Sequence, residues 1–566
     1  MNKHYKYGLP LAIAVLLGAT GCEKDFLDTR IDTNATPETI ITDRATLFSF
    51  GNAFYTALPN GFYQLDGNLF AAASDEAQQT NAAAANVRFF NQGTLSPVNM
   101  PTDGSNPYKT FYDGIRAANF FLNYSTGYVE FLLRNRDTTN TSAIVNYRND
   151  SMNIAWYRGE AHIARAFYYF ELSKRWGGVP VIEQTFDQAA DLHISRTGYD
   201  ELVTYMVNEI DKYKDSLQPN WKTSSFKAND GRFSLASALA LKTRILLYAA
   251  SPLQNPSNDA AKWQKAAAAA QELMTAPGLN LALYTGGYRN YFTGSNPIVS
   301  ANNETILAVR APANNTPEVN NYPIGTPGGN SGIAPSHNLV AAYEYIGEVD
   351  PADPYKNRDP RLAASIVTNG STWTGRTIDQ SAGATDDMRQ PNTSRTGYYL
   401  KKFLTDALNL QQGGTALHNW VLFRYAEVLL NYAEAMNEAY GPDANNGYAL
   451  TARQALQLVR NRASTQLPAV TASTKETFRE VLKHERRIEL AFEDHRYWDL
   501  LRWKDAATVL NQPVKGVTVT KNPNGSFNYQ VVDVASRAFR APMELFPFAQ
   551  SEIVNGNGKL IQNTGY

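Results

Sequence analysis

The chain has 566 residues, of which 43% are hydrophobic and 12% aromatic, and it contains a single cysteine. Its 52 Lys and Arg residues balance 53 Asp and Glu residues, so the formal net charge is -1. That balance provides no broad basic field for nucleic acid, and one cysteine excludes an intrachain disulfide. The fold must therefore rest on a large hydrophobic core, and its many rings belong to that core, to a sugar-stacking surface, or to both.

The N-terminus has the pattern of a signal peptide over residues 1–21. Lys3 and Lys6 precede the apolar run Leu9–Leu17, and small residues then lead to Cys22. An apolar run of about nine residues is too short for a transmembrane helix, which needs roughly 20. We therefore expect cleavage before Cys22, lipidation of Cys22, and a lipidated N-terminal tether over residues 22–34.

Helical patterns dominate the body, residues 35–566. In Asn153–Arg175 and Trp420–Tyr440, apolar residues recur every three or four positions and a glycine-containing stop follows; Leu235–Ala250 is similar. Alanine-rich faces allow helices to approach closely, as in helical-repeat scaffolds. No clean repeat period is present, so any repeats have diverged strongly.

Three long segments, about residues 59–107, 284–338 and 350–401, interrupt the helices and are rich in Gly, Asn, Pro and Thr. They are too long to be simple helix connections. Because long ordered loops on a helical scaffold usually carry function, we expect binding loops here. Short strands are predicted at Thr305–Arg310 and Tyr398–Phe403.

The sequence carries no recognisable motif for catalysis or metal binding. The chain has no Gly-x-Ser-x-Gly elbow and no Gly-x-x-x-x-Gly-Lys phosphate loop. His484 and Glu485 do not form a zinc helix, because Ile488 stands where the second histidine belongs. Paired carboxylates for glycoside hydrolysis leave no local signature, but the acids at 75–76 and 386–387 are better interpreted as ligand-facing or solvated. We predict no enzyme, no cofactor and no metal.

The charged residues around Glu485 are predicted to brace helices. Arg486 and Glu489 are three residues apart, and so are Glu493 and Arg496. Residues at this spacing are neighbours on one helix face, so each pair is expected to form an ion pair along the helix.

A site for a sugar needs a flat ring against its C–H face and planar polar groups beside its hydroxyls. Loops that combine both are candidates for such a site. The candidate ligand-binding residues are Asp75, Arg88, Phe90, Asn91, Tyr288, Tyr291, Trp373, Arg376 and Tyr398. For each single ring the alternative is that it fastens a loop to the scaffold.

Eight segments spread along the chain carry a family resemblance. They are Cys22–Asp28, Arg158–Phe170, Trp176–Pro180, Asn357–Leu362, Arg424–Ala435, Glu485–Glu493, Arg496–Arg502 and Gln562–Tyr566. Together they resemble the SusD/RagB family of surface nutrient-binding lipoproteins. They occur in the order of that family and span nearly the whole chain.

The resemblance implies a mostly α fold of tetratricopeptide-like helix pairs with a loop-rich ligand-binding subdomain. It also implies non-catalytic binding of a glycan at the cell surface and its delivery to a SusC-like TonB-dependent outer-membrane transporter. Glu23 and Asp25 resemble the family's surface-export signal, so the expected location is the outer membrane, lipid-anchored and facing the exterior. The alternative function is a protein- or peptide-binding lipoprotein that uses the helical-repeat scaffold.

Overall fold

The computed structural model describes residues 43–81, 83–134, 136–185, 193–222, 226–293 and 302–566. The predicted signal peptide, Cys22 and the tether lie outside these ranges. Within them, no helix combines the length and the apolar character that crossing a bilayer requires.

The first half of the described chain is built from helices. They are α1 (Arg44–Ala53), α2 (Asn86–Asn91), α3 (Tyr108–Tyr124), α4 (Tyr128–Leu133), α5 (Thr141–Trp176), α6 (Tyr199–Tyr213), α7 (Leu235–Ala250) and α8 (Ala260–Thr275). The helix predicted at Leu235–Ala250 is confirmed. Helix α5 begins well before the predicted Asn153, because Asn140 caps the N–H groups of Ser142 and Ala143 and the exposed first turns carry no apolar period.

The second half alternates short helices with longer ones. They are α9 (Tyr288–Phe292), α10 (Thr316–Asn321), α11 (His337–Val340), α12 (Pro360–Ser365), α13 (Tyr425–Tyr440), α14 (Ala452–Arg460), α15 (Lys475–Glu489), α16 (Arg496–Trp503), α17 (Ala506–Val509) and α18 (Gln550–Asn555).

Ten strands in the described residues form five two-stranded antiparallel sheets. The pairs are β1 (Ala77–Gln79) with β3 (Ile333–Pro335), β2 (Thr305–Val309) with β8 (Trp420–Arg424), β4 (Ile366–Val367) with β7 (Tyr399–Leu400), β5 (Thr372–Trp373) with β6 (Arg376–Thr377), and β9 (Val514–Lys521) with β10 (Phe527–Ala535). The strands predicted near Thr305 and Tyr398 are confirmed. The predicted helix start at Trp420 is wrong, because Trp420–Arg424 pairs with β2 and the helix begins only at Tyr425.

Successive long helices pack side by side: α3 against α5, α5 against α6, α7 against α8, and α13 against α8, α14 and α15. Small residues make these approaches close. A Cβ at Gly114 of α3 would lie 2.6 Å from the Tyr168 ring of α5, so glycine is required at that crossing. The mostly α fold of paired helices predicted from the sequence is confirmed.

A buried ion network fastens the loops to this scaffold. Arg424 binds Glu304 (2.9 Å), Glu489 (2.8 Å) and Glu493 (2.6 Å), and Arg361 binds Glu489 at 2.9 Å. All five side chains are at least nine-tenths buried. Charges at this depth persist only when paired, so the network holds strand β2, the start of α12, and α15 in fixed relation.

The ion pairs predicted along one helix face are wrong. Arg486 binds Asp499 at 2.7 Å and Arg496 binds Asp75 at 2.8 Å, whereas the nearby acids Glu489 and Glu493 pair with Arg424. These charged side chains are buried where elements pack together. Each of them therefore pairs with a residue on a neighbouring element instead of one on its own helix. The broader expectation that this cluster braces the scaffold is confirmed.

Candidate functional site

A polar cleft of about 310 Å³ opens between the long loops. Its walls come from all three segments in which the sequence predicts binding loops. The lining residues are Asp66, Asn68, Gln79, Asn81, Asn320, Asn330, Gly332 and Asn392. The pairing of β1 with β3 holds the first two segments together beside it, with Gln79 opposite Ile333.

Asp66 forms one wall through a tight turn. Leu65 and Asn68 exchange two backbone hydrogen bonds, and Asp66 and Gly67 between them have φ of 50° and 69°. This is the geometry of a two-residue turn with positive φ at both central positions, which Asp-Gly accommodates readily. The Asp66 carboxylate accepts the N–H groups of Asn86 (3.0 Å) and Val87 (2.8 Å) and so fixes the start of α2.

The base of the cleft is an interlocked set of amides. Nδ2 of Asn68 donates to Oδ1 of Asn321 at 2.9 Å, and Nδ2 of Asn321 donates to Oδ1 of Asn68 at 3.1 Å. Nδ2 of Asn320 donates to the Gly67 carbonyl oxygen at 3.1 Å. A Cβ at Gly332 would lie 2.7 Å from both Asn320 O and Asn68 Nδ2, so only glycine fits this approach.

The rim carries amides that remain available to a ligand. The side chains of Asn330 and Asn392 are exposed, and within the described residues neither makes a hydrogen bond. A carboxamide offers two donors and an acceptor in one plane. The cleft therefore presents paired donors and acceptors, the complement of a ligand rich in hydroxyl groups, and none of its lining residues is cationic.

Trp373 and Arg376 are not among the residues that line the cleft. Arg376 forms a two-pronged ion pair with the buried Asp386, whose Oδ1 also accepts the Gly325 N–H at 3.1 Å. Trp373 is 3% exposed; its Nε1 donates to Asp406 at 2.9 Å, and its ring packs edge-on against Tyr322. Both residues support the segment that carries Asn320 and Asn330.

Asp75, Phe90 and Asn91 are not among the residues that line the cleft, and each makes structural contacts elsewhere. Asp75 binds Arg487 (2.6 Å) and Arg496 (2.8 Å). Burial opposes ionisation of Asp75, but the two arginines outweigh it and lower its pKa. The Phe90 ring is buried against Phe70, and Nδ2 of Asn91 donates to the Ala72 carbonyl oxygen. The interpretation of Asp75 as a ligand-facing acid is replaced by a structural ion pair.

The other acids of the two predicted pairs are also in structural contacts. Glu76 is 1% exposed; burial, followed by repulsion from Asp75, raises its pKa to about 8. Asp386 is buried against Arg376, and Asp387 binds Arg389 at 2.5 Å. Neither pair offers two free carboxylates to one ligand.

The predicted tyrosines are core residues. Tyr288 is 3% exposed and donates to the Glu489 carbonyl oxygen; Tyr291 is 1% exposed and hydrogen-bonds to Thr305. Tyr398 is completely buried, with its hydroxyl 2.8 Å from Nδ1 of His337. Their ring faces are covered in this structure, so the alternative interpretation, fastening a loop to the scaffold, describes them. Arg88 is the one exposed member of the predicted set.

Sequence reasoning missed the lining amides. The candidate residues were chosen for aromatic rings beside polar groups. The cleft is instead built from Asp-Gly-Asn, Gln-Gln-Thr-Asn and Asn-Asn runs inside the predicted loops. Clustered Asn and Gln in loops were the available signal, but such residues are also ordinary turn formers. Within the described residues no group of His, Cys, Asp and Glu is arranged to hold a metal ion.

A scaffold of stacked helix pairs that carries an amide-lined cleft on its loops defines a ligand-binding protein. Residues 299–566 match the family described as "SusD family", and residues 25–247 match the family described as "Starch-binding associating with outer membrane". The chain belongs to the SusD family. Proteins of this family bind carbohydrate and are not catalytic, so the prediction of no enzymatic activity is confirmed.

Known relatives agree with this membership. SusD-like protein P38 of Formosa agariphila is 26% identical over 380 residues, which are 64% of this chain and 69% of that protein. A SusD-like protein from Bacteroides fragilis has a TM-score of 0.75 at 24% identity, covering 94% of this chain and 98% of that one. A SusD-like carbohydrate binding protein from the same organism has a TM-score of 0.73 at 24% identity, with coverages of 91% and 99%.

Proposed function

We propose that this protein captures a glycan in the amide-lined cleft without cleaving it. The observation that carries the proposal is that six Asn or Gln side chains, from three separate loops, line one cleft. A sugar hydroxyl both donates and accepts hydrogen bonds. A carboxamide can pair with it in either direction, because it has N–H donors and an acceptor oxygen without a net charge. The carbohydrate binding named for the structural relative from Bacteroides fragilis supports the same ligand class.

The proposal includes where capture takes place. Cys22 is lipidated, the 22–34 tether holds the body at the exterior face of the outer membrane, and the bound glycan passes to a SusC-like TonB-dependent transporter. The signal-peptide pattern before Cys22 and the acids Glu23 and Asp25 support this arrangement. The outer-membrane association described for the matched family supports it further.

The test is binding without degradation. The mature chain, purified in detergent, is run through native gels containing starch, laminarin, xylan, mannan or pectin, and each polysaccharide is afterwards analysed for shortened products. We expect at least one polysaccharide to retard the protein and none to be shortened. Retardation by none of them, or products formed at an enzymatic rate, would refute the proposal.

A second candidate, docking of a peptide, rests on a different feature. A groove of about 510 Å³ runs between α6, α7 and α8, with Val203, Leu246 and Ala269 in its lining. Ion pairs from Asp200 to Lys262 and from Lys242 to Glu272 flank it. Leu246→Glu would place a charge in this groove, so it should abolish peptide binding if a peptide docks there. Glycan binding that Leu246→Glu leaves intact favours the cleft as the glycan site.

A further inference from the structure

One aromatic side chain stands apart from the rest by its exposure. Among the described residues, Tyr63 is the most exposed Phe, Tyr or Trp, with 37% of its surface accessible. A protein that binds sugars by stacking must present a ring face to solvent. In this structure Tyr63 is the ring best placed to do so.

The position of Tyr63 is fixed by its surroundings. It ends a short 3-10 turn, Gly61–Tyr63, whose start is capped by Asn60 Oδ1 accepting the Phe62 N–H at 3.2 Å. Phe62 is buried edge-on against Trp420. The Tyr63 hydroxyl donates to Oδ1 of Asn314 at 3.2 Å. A ring held at both ends loses little conformational entropy when a ligand stacks on it.

Tyr63 and the cleft are connected by two short paths. Along the chain, Tyr63 lies three residues before Asp66, which forms one wall of the cleft. Through space, its partner Asn314 also accepts the N–H of Thr316 at the start of α10, and Asn320 near the other end of α10 lines the cleft. Thr316 and Asn320 both lie on α10, and at about 1.5 Å of rise per residue they are about 6 Å apart along the helix axis.

We propose that Tyr63 is a stacking subsite that extends the cleft, so that the ligand is an oligosaccharide chain lying along α10 and not a single sugar. The inference rests on the proposed glycan binding and adds a chain-length requirement to it. Units in the cleft are held through hydroxyl groups by Asn330 and Asn392, and a unit further along the chain stacks its C–H face on Tyr63. Ligands too short to reach Tyr63 lose that contact.

The experiment compares ligand lengths across matched variants. The mature chain in detergent is titrated calorimetrically with oligosaccharides, from disaccharide to heptasaccharide, of the polysaccharide that binds. Tyr63→Ala removes the ring, Tyr63→Phe keeps the ring without the hydroxyl, and Val554→Ala is a control at an exposed apolar residue on α18. Melting temperatures verify that each variant is folded.

We expect Tyr63→Ala to raise the Kd of the heptasaccharide about tenfold while the disaccharide Kd stays unchanged, because only the long ligand reaches the ring. Tyr63→Phe and Val554→Ala should remain within about twofold of the unmodified chain. If Tyr63→Ala leaves every length unaffected, or weakens every length equally, the subsite is refuted while glycan capture stands. If the unmodified chain binds no glycan, the proposed function fails, and the subsite with it.

Discussion

Asn68 and Asn321 exchange two amide hydrogen bonds, of 2.9 and 3.1 Å, although they are 253 residues apart in the chain. Both side chains are buried, at 3% exposure each. Oδ1 of Asn321 also accepts the Ile333 N–H at 2.9 Å, which ties the same pair to β3. One pair of side chains thus aligns the first and second binding segments, and the cleft depends on it.

Asn321→Ala should therefore affect both stability and binding. The substitution leaves the Asn68 amide and the Ile333 N–H without their partner in a buried place, which costs about 1–3 kcal/mol of the free energy of unfolding. Glycan affinity should fall as well, because the cleft walls lose their alignment. Chemical denaturation and calorimetry measure the two effects. Asn146→Ala, at an exposed position of α5, is the control and should change neither.

Gly332→Ala is predicted to be poorly tolerated. Its Cβ would meet the Asn320 carbonyl oxygen and Asn68 Nδ2 at 2.7 Å, and one of those atoms is backbone. Overpacking of this kind costs about 1–3 kcal/mol and would displace Asn320 from the cleft wall. Gly198→Ala, where no atom lies within 4 Å and φ is -61°, is the matched control. Equal melting temperatures for the two variants would contradict the close-packed cleft wall.

The buried ion network should be sensitive to loss of its central cation. Arg424→Met leaves three buried carboxylates short of a partner, which destabilises the fold by about 3–5 kcal/mol. Lys109→Met removes a lysine that is 86% exposed and whose partner Asp113 is 53% exposed, so this change should cost about 1 kcal/mol or less. Urea denaturation of both variants compares them directly. Similar losses would mean that the network contributes no more than a surface ion pair.

Glu76 should make stability depend on pH in a defined direction. Burial raises its folded-state pKa to about 8, above the ordinary value of 4.5 that applies in the unfolded chain. Its stabilising contribution is complete below pH 4.5 and is lost as pH rises to 8, because the folded state must then bury a charge. Glu76→Gln should therefore be more stable relative to the unmodified chain at pH 9 than at pH 5.

Glu171 should make stability depend on pH in the direction opposite to that of Glu76. Burial acts to raise its pKa, but Lys174 and Arg175 outweigh burial and lower the folded-state pKa to about 2. Its contribution is present above pH 4.5 and is lost as pH falls to 2. Glu171→Gln should destabilise the fold at pH 7 and much less at pH 2.5. Unfolding curves that shift the same way with pH for both variants would contradict these assignments.

Periodicity was enough to locate elements whose burial follows a regular pattern. Helix α7 is buried along nearly its whole length, and its predicted bounds match the structure. At Trp420–Arg424 the same reasoning failed, because pairing with β2, more than a hundred residues earlier, decides the conformation there.

The candidate site was harder to predict for a related reason. Trp373, Tyr288 and Tyr398 occur beside polar residues in loops, as rings of a sugar site would, but each is buried by contacts that are distant in sequence. The amides of the cleft meet only through tertiary contacts such as Asn68 with Asn321. A single sequence reveals the segments that build the site, whereas the choice of residues within them depends on long-range packing.

The most direct test of the account is a calorimetric titration of the Asn330→Ala/Asn392→Gly double variant against the unmodified chain, using the glycan that binds. Both side chains are exposed on the cleft rim, and glycine accommodates the φ of 56° at position 392, so the fold should be unaffected. Losing two net hydrogen bonds of about 0.5–1.5 kcal/mol each should weaken binding about tenfold or more. An unchanged affinity in a folded double variant would show that the glycan binds elsewhere, and would contradict the cleft as the site of capture.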